Sequence, residues 1–290
     1  MSTESRCGPD FEQFLRVFLE VTHKGQIVVL TGAGISAESG IPTFRGAEGW
    51  WTVGSTVYQP QEIATRSFFR DNPLAVWGWY LYRRSLCHQA QPNAGHVALV
   101  QLAKHLADRM TLVTQNVDGL HLRAGSPAHA TRQIHGNLDY MRCFAGCNRT
   151  LHELSTELPE AWLGWERHRL PTVEESAPLR CRSCGGWLRP HVLWFDEYYE
   201  EEFFQSDSSL ASVQQADLLL VVGTSGATNL PMQMARLALG RGIPLLDIDP
   251  AGNAFSAMLE DTGGHLQAPA AQALPALVHA RFEADADTGH

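Results

Sequence analysis

The chain has 290 residues, 44% of them hydrophobic, with a formal charge of −9 and a pI near 5.8. That acidic balance argues against nucleic acid or an anionic membrane surface as the main partner, while Lys-rich protein segments stay electrostatically compatible. No apolar run reaches membrane-spanning length and the polar start from Met1 to Asp10 has no signal or transit pattern, so a cytoplasmic location and one large or two unequal domains are expected.

In chain order, Phe11, Phe14, Leu15, Val17, Phe18, Leu19 and Val21 fall at helical spacing. They predict an amphipathic helix over 10–23 at the sheet edge. Ile27-Val28-Val29-Leu30 is apolar without polar alternation, which suits a strand buried on both faces of a parallel sheet. Thr31-Gly32-Ala33-Gly34 follows at once. Gly32 and Gly34 allow a sharp turn and a close ligand. Ser36, Ala37 and Glu38 could then open a helix whose first amides face a pyrophosphate. Position 37 is Ala, so the strict G-x-G-x-x-G spacing is absent. A strand, turn and helix with no ligand stays open for this stretch alone.

The stretch continues to Arg45 and completes GAGISAESGIPTFR. This run resembles the signature of the sirtuins, the family of NAD-dependent protein deacylases. The resemblance implies that Gly32, Ala33 and Gly34 cradle the cofactor. It also implies that Phe44 shields the reactive sugar face and that Arg45 orients the cofactor. An aromatic ring there excludes water and offers its π face to a cation. Residues 46–60, rich in Gly and aromatics, read as a loop over the glycine turn.

Residues 61–87 have a helical pattern broken near Asn72-Pro73. Tyr80 and Arg83 lie three apart and share a helix face. Taken alone, this is an amphipathic helix with a snorkelling Arg. In family context it resembles the Tyr-x-x-Arg pair of sirtuins that remove acidic acyl groups. Arg can hold a carboxylate bidentately while Tyr adds one hydrogen bond. Ala64, sixteen positions before Tyr80, is small where simple deacetylases are bulky. The resemblance implies succinyl-, malonyl- or glutaryl-lysine beside acetyl-lysine. Pro92-Asn93-Ala94-Gly95-His96 is a further family motif.

A helix is expected over 96–109 and a strand over 110–113. That strand ends in TQNVDGLH, residues 114–121. Polar groups at the carboxyl end of a strand are where α/β sheets bind ligands. A capped turn explains Asn or Asp singly but not the octamer. The family uses Gln115, Asn116 and Asp118 in the cofactor site, the latter two against the nicotinamide carboxamide and its ribose. His135, in Gln133-Ile134-His135-Gly136-Asn137-Leu138, matches the family motif H-G-(Ser/Asn)-L. A neutral imidazole is well suited to accept a hydroxyl proton. His121 and His191 read as motif neighbours.

Cys143-x3-Cys147 and Cys181-x2-Cys184 are two close pairs, separated by residues 148–180. Two such turns can offer four thiolates to one tetrahedral zinc, which leaves no open position and makes the metal structural. Iron or an iron–sulfur cluster is the minor alternative. The intervening insert is predicted irregular, with short helices, and is not markedly basic.

Residues 188–197, LRPHVLWFDE, resemble the family's substrate-groove segment. The resemblance implies that Leu193 and Phe195 line an acyl-lysine tunnel, with Asp196 and Glu197 as further substrate-binding residues. Asp196 stands where the family has Gly, and it could crowd the peptide or favour flanking Lys or Arg. A helix is expected over 206–215 and a buried strand over 216–222, ending in Gly223-Thr224-Ser225. These three would face the cofactor phosphates or adenosine. The next loop has one residue more before Pro231 than the usual pattern. A helix over 231–241 and a strand over 243–248 lead to Asp249. An acidic strand tip suits ribose hydroxyls and disfavours a 2′-phosphate. Ala270 falls in the turn that resembles the family's last adenine contact, and 282–290 is expected to fray.

The expectation is an α/β fold: an inverted, sirtuin-type Rossmann-like parallel sheet with a smaller zinc-binding and helical lobe. The Rossmann-like part takes 10–45, 96–138 and 191–280. The cofactor loop and helical lobe take 46–95, the zinc module 139–190 and a tail 281–290. The implied chemistry is NAD-dependent deacylation with His135, Asn116 and Asp118 as catalytic groups, one structural zinc, and acylated protein lysines as substrates. The acyl oxygen attacks C1′ of the nicotinamide ribose, nicotinamide leaves, and His135 deprotonates a ribose hydroxyl that attacks the acyl carbon. A monomer is expected. An NAD hydrolase or mono-ADP-ribosyltransferase on the same fold is the alternative, and a non-enzymatic nucleotide sensor a third.

Overall fold

A computed structural model describes residues 9–41, 51–53, 56–259 and 264–288. The strands are β1 (Ile27–Thr31), β2 (Trp51–Val53), β3 (Thr56–Tyr58), β4 (Met110–Thr114), β5 (Thr131–Gln133), β6 (Gly136–Cys143), β7 (Leu151–Glu153), β8 (Leu188–Val192), β9 (Leu218–Val222), β10 (Leu245–Ile248) and β11 (His265–Leu266). The helices are α1 (Pro9–Lys24), α2 (Gly34–Ala37), α3 (Pro60–Ile63), α4 (Arg66–Asp71), α5 (Pro73–Gln89), α6 (Ala94–Leu106), α7 (Leu120–Ala124), α8 (Leu154–Glu157), α9 (Glu201–Phe204), α10 (Ser206–Gln214), α11 (Asn229–Gly240) and α12 (Ala270–Thr288).

Six strands form one parallel sheet in the order β11-β10-β9-β1-β4-β5. Every residue of β1 and β9 is buried. Their side chains alternate between two cores. Ile27, Val29, Leu218 and Leu220 pack with residues of α1, α6 and α12 on one face. Val28, Leu30, Leu219 and Val221 pack with α10 and α11 on the other. That two-sided cover is why these strands read as unbroken apolar runs. Each fully buried Val or Leu contributes about 1.5–3 kcal/mol of transfer free energy.

The second body is built from α3 to α5 and the antiparallel sheet β7-β6-β8. Trp77, fully buried, donates its indole proton to the Leu188 carbonyl at 2.9 Å and ties α5 to β8. Arg189, also fully buried, pairs with Glu197 and lies under the Trp194 ring, with Cζ 3.4 Å from its centroid. Among the described residues no helix is long and apolar enough to cross a membrane.

The helix after the glycine turn, α2, is a single turn that ends at Ala37, and Gly40 follows with φ +81°. Two local expectations change. The described part of 46–60 includes a two-stranded hairpin, β2-β3. The end of the chain does not fray from Phe282 onward: α12 continues to Thr288. Phe282 packs on His105 with ring centroids 4.9 Å apart, and Asp285 pairs with His105 at 2.6 Å and with Arg281. The polar composition of the tail concealed these tertiary partners.

Candidate active site

The carboxyl ends of the central strands lie level. Thr31 is in register with Thr114 and Val222, and Val222 with Ile248. Each strand therefore delivers its following loop to the same edge. Gly32–Gly34, Gln115–Asp118, Gly223–Ser225 and Asp249 all line one cavity of about 540 Å³. The second body closes the far side with Ala64, Tyr80, Arg83, Leu193 and Phe195.

The glycines serve packing as well as any ligand. A Cβ on Gly34 would lie 2.6 Å from the Gly223 Cα, and one on Gly32 2.6 Å from the Thr224 Cβ. The two turns touch, and Gly223 itself has φ +60°. Side chains there would push the loops apart.

Ser36 organises the polar floor. Its hydroxyl donates to Asp118 Oδ2 at 2.8 Å and accepts from Asn116 Nδ2 at 3.0 Å. Leu120 N–H donates to Asp118 Oδ1 at 2.8 Å. Burial raises the Asp118 pKa, and these bonds with Arg123 and Arg83 oppose that rise. Behind the floor, His121 Nε2 meets Thr31 Oγ1 at 2.9 Å and its ring centroid lies 4.8 Å from that of His96. Burial pulls His121 down to about 3 and His96 to about 4, so both rings are neutral.

His135 stands just before β6. Its Nδ1 faces the Gln115 carbonyl at 3.1 Å, which can only accept. Nδ1 therefore carries the proton and Nε2 the free lone pair. Burial lowers the ring to about 4, against the Gln115 hydrogen bond that raises it. Nε2 meets the Tyr199 hydroxyl at 2.9 Å.

On the opposite wall, Trp194 Nε1 donates to the Tyr80 hydroxyl at 2.9 Å. Burial raises the Tyr80 pKa, against the nearby Arg83. The Arg83 guanidinium carbon lies 4.7 Å from the Trp79 ring centroid and 5.5 Å from that of Tyr80. Burial lowers the Arg83 pKa, and Tyr80, Cys87 and Asp118 oppose this. An arginine in such surroundings keeps its charge.

The four cysteines converge away from this cavity, with all Sγ atoms within 4.8 Å of one another. Cys143 and Cys184 sulfurs are 3.7 Å apart, Cys147 and Cys181 3.5 Å. A tetrahedron of Zn–S bonds would require sulfurs about 3.8 Å apart. The cluster fits a zinc ion, with its four corners filled by protein.

Comparison with known proteins agrees with this geometry. The Sir2 family model matches residues 32–229. The chain belongs to the Sir2 family. A protein named NAD-dependent protein deacylase from Leptospira interrogans is 38% identical over 257 residues, covering 87% of this chain and 92% of that one. One of the same name from Aquifex aeolicus is 39% identical over 224 residues, with 77% and 83% covered. Among solved structures, a Sir2 homolog–NAD complex superposes with a TM-score of 0.75 at 32% identity, covering 93% of this chain and 94% of that chain.

Against the Sir2 pattern, five expected site residues lie elsewhere or outside the described residues. Asp196 and Glu197 do not line the cavity. Asp196 accepts from the Arg66 and Ser67 amides at 2.8 and 3.3 Å and so caps α4. Glu197 accepts from Arg189 Nη2 and the Trp194 amide, both at 2.9 Å. Phe44 and Arg45 fall outside the described residues. Ala270 is buried at the start of α12, near Gly95, and is not among the cavity residues. Asp249 does line the cavity and accepts from the Ala251 amide at 3.0 Å. The site also contains groups the sequence did not single out: Ser36 as hub, Thr228, and Tyr199 on His135. Ser36 sits inside the glycine motif and was legible there. Tyr199 lies in no motif.

Proposed function

We propose that this Sir2 enzyme, an NAD-dependent protein-lysine deacylase, accepts acidic acyl groups such as succinyl, malonyl and glutaryl beside acetyl. The observation that carries the acidic preference is the common cavity. Tyr80, Arg83 and the small Ala64 line the same space as His135 and Asn116. An acyl group extended from the lysine toward Arg83 could pair its carboxylate with the guanidinium. Tyr80 would add a hydrogen bond from the proton it does not give to Trp194.

NAD, when bound, supplies a ribosyl carbon that accepts the acyl oxygen as nicotinamide departs. The remaining work falls to the chain. Asn116 and Asp118, fixed through Ser36, would orient the nicotinamide end. Gly32–Gly34 and Gly223–Ser225 would approach the phosphates, with Arg45 and Phe44 contributing from the loop after the glycine turn. Asp249 would take a ribose. His135, neutral and with Nε2 as its basic nitrogen, would receive the proton of the ribose hydroxyl that attacks the acyl carbon. Leu193 and Phe195 would flank the lysine stem and exclude water. The four-cysteine zinc holds the antiparallel sheet and takes no part in the chemistry. Acylated lysines on proteins are the partners, and the enzyme acts as a monomer in the cytoplasm.

The test is turnover by mass spectrometry with NAD and matched acetyl-, succinyl- and unmodified lysine peptides. Wild type is run beside His135→Ala and Arg83→Met. Removal of succinyl that depends on Arg83 supports the acidic-acyl reading, and acetyl removal alone overturns it. Equal nicotinamide release with unmodified peptide would make the enzyme an NAD hydrolase instead.

A further inference from the structure

The hydroxyl of Tyr199 occupies the one nitrogen that His135 has to offer. Nδ1 is committed to the Gln115 carbonyl, so the Nε2 lone pair accepts the Tyr199 proton at 2.9 Å. A neutral imidazole has a single acceptor site. It cannot hold Tyr199 and a substrate hydroxyl at once. Tyr199 also follows Phe195, a wall of the cavity, by four positions on the same segment.

We propose that Tyr199 is a positioning residue for His135: it occupies Nε2 of the tautomer that the Gln115 carbonyl sets, until a ribose hydroxyl displaces it. The proposal rests on His135 being the base. In the step that follows, the ribose O–H bond breaks, its proton goes to Nε2, and the oxygen pair forms the bond to the acyl carbon. Tyr199 keeps its proton throughout, consistent with a pKa that burial pushes up to about 12. Among the described residues no charged side chain bonds to either ring nitrogen of His135. The groups facing them are the Gln115 carbonyl and Tyr199.

Two readouts on Tyr199→Phe test this. The first needs no cofactor: titration of the His135 ring by nitrogen NMR in NAD-free protein. A donor on Nε2 stabilises the neutral ring and holds its pKa down. Its loss should raise the His135 pKa by up to about one unit, since one unit matches the worth of one hydrogen bond. The second is the ratio of deacylation to exchange of labelled nicotinamide into NAD, both with acetyl-lysine peptide. Exchange reads the step before the base acts, so it also reports an intact fold. The ratio should rise severalfold in Tyr199→Phe. An unchanged His135 titration, or a ratio that stays level or falls, overturns the proposal. His135→Ala separates the two claims. If that variant still deacylates, the assignment of the base fails whatever Tyr199 does.

Discussion

Trp194 donates its indole proton to the Tyr80 hydroxyl at 2.9 Å, and this bond decides where the Tyr80 proton can go. An indole only donates, so the Tyr80 oxygen must accept. Its own proton is left for a ligand, and burial keeps that proton on the oxygen. Tyr80→Phe should therefore raise KM for a succinyl peptide about tenfold, the worth of one hydrogen bond to a charged group. Acetyl turnover should hold. Arg83→Met should cost succinyl turnover about a hundredfold or more, since a buried carboxylate would lose its countercharge. Steady-state kinetics on matched peptides check both, and equal losses on acetyl and succinyl would contradict them.

Asp196 acts on α4, so its replacement should be felt in stability. It takes two amide protons from the first turn of that helix. Asp196→Ala should cost about 1 kcal/mol, as for other lost N-caps. The unfolding temperature should fall by about 2 °C. Preference for Lys or Arg beside the target lysine should not change. Thermal unfolding and a peptide array measure these, and a changed flanking preference would return Asp196 to the substrate.

Metal removal should loosen the structure before it touches the chemistry. The four sulfurs stand at zinc-like separations and leave no free corner. Elemental analysis should find one zinc per chain. Chelation, or Cys143→Ser, should lower the unfolding temperature and activity together. Activity lost from a chelated protein with an unchanged unfolding curve would point to a catalytic metal.

Acid should unfold this protein through its buried histidines. Burial lowers His96 and His135 to about 4, and His121 and His191 to about 3. Arg142 and Arg189 add to the burial effect at His191. In the unfolded chain each titrates near 6.5, so between there and their folded values the unfolded state binds more protons. Stability is present above about pH 6.5 and is lost progressively toward pH 3–4. His191→Phe, which keeps the stacking on Phe204 (centroids 5.6 Å, planes 5° apart), should flatten that slope. Unfolding temperatures across this range supply the test, and a slope equal to wild type would contradict it.

Much of the site was legible because it follows strand ends. The apolar runs at 27–30 and 218–222 signal strands buried on both faces, and the glycine, TQNVDGLH and GTS segments come directly after strands. A parallel sheet places such loops on one edge, so local order along the chain becomes proximity in space. The cysteine pairs were legible for a similar reason, because two short spacings suffice to present four thiolates. The HGNL motif likewise marked His135.

The sequence by itself thus determined the family, the parallel sheet, the loops that line the cavity and the four-cysteine cluster. Those features depend on short stretches whose chemistry is complete within a few residues. Only the tertiary structure decided the partners of side chains that meet across long separations. It gave Asp196 to the amides of α4, Glu197 to Arg189 and Trp194, Asp285 to His105, and Tyr199 to His135. An Asp, Glu or Tyr can satisfy its hydrogen bonds with many neighbours. Which neighbour it meets is set by how the layers pack, and no spacing along the chain records that.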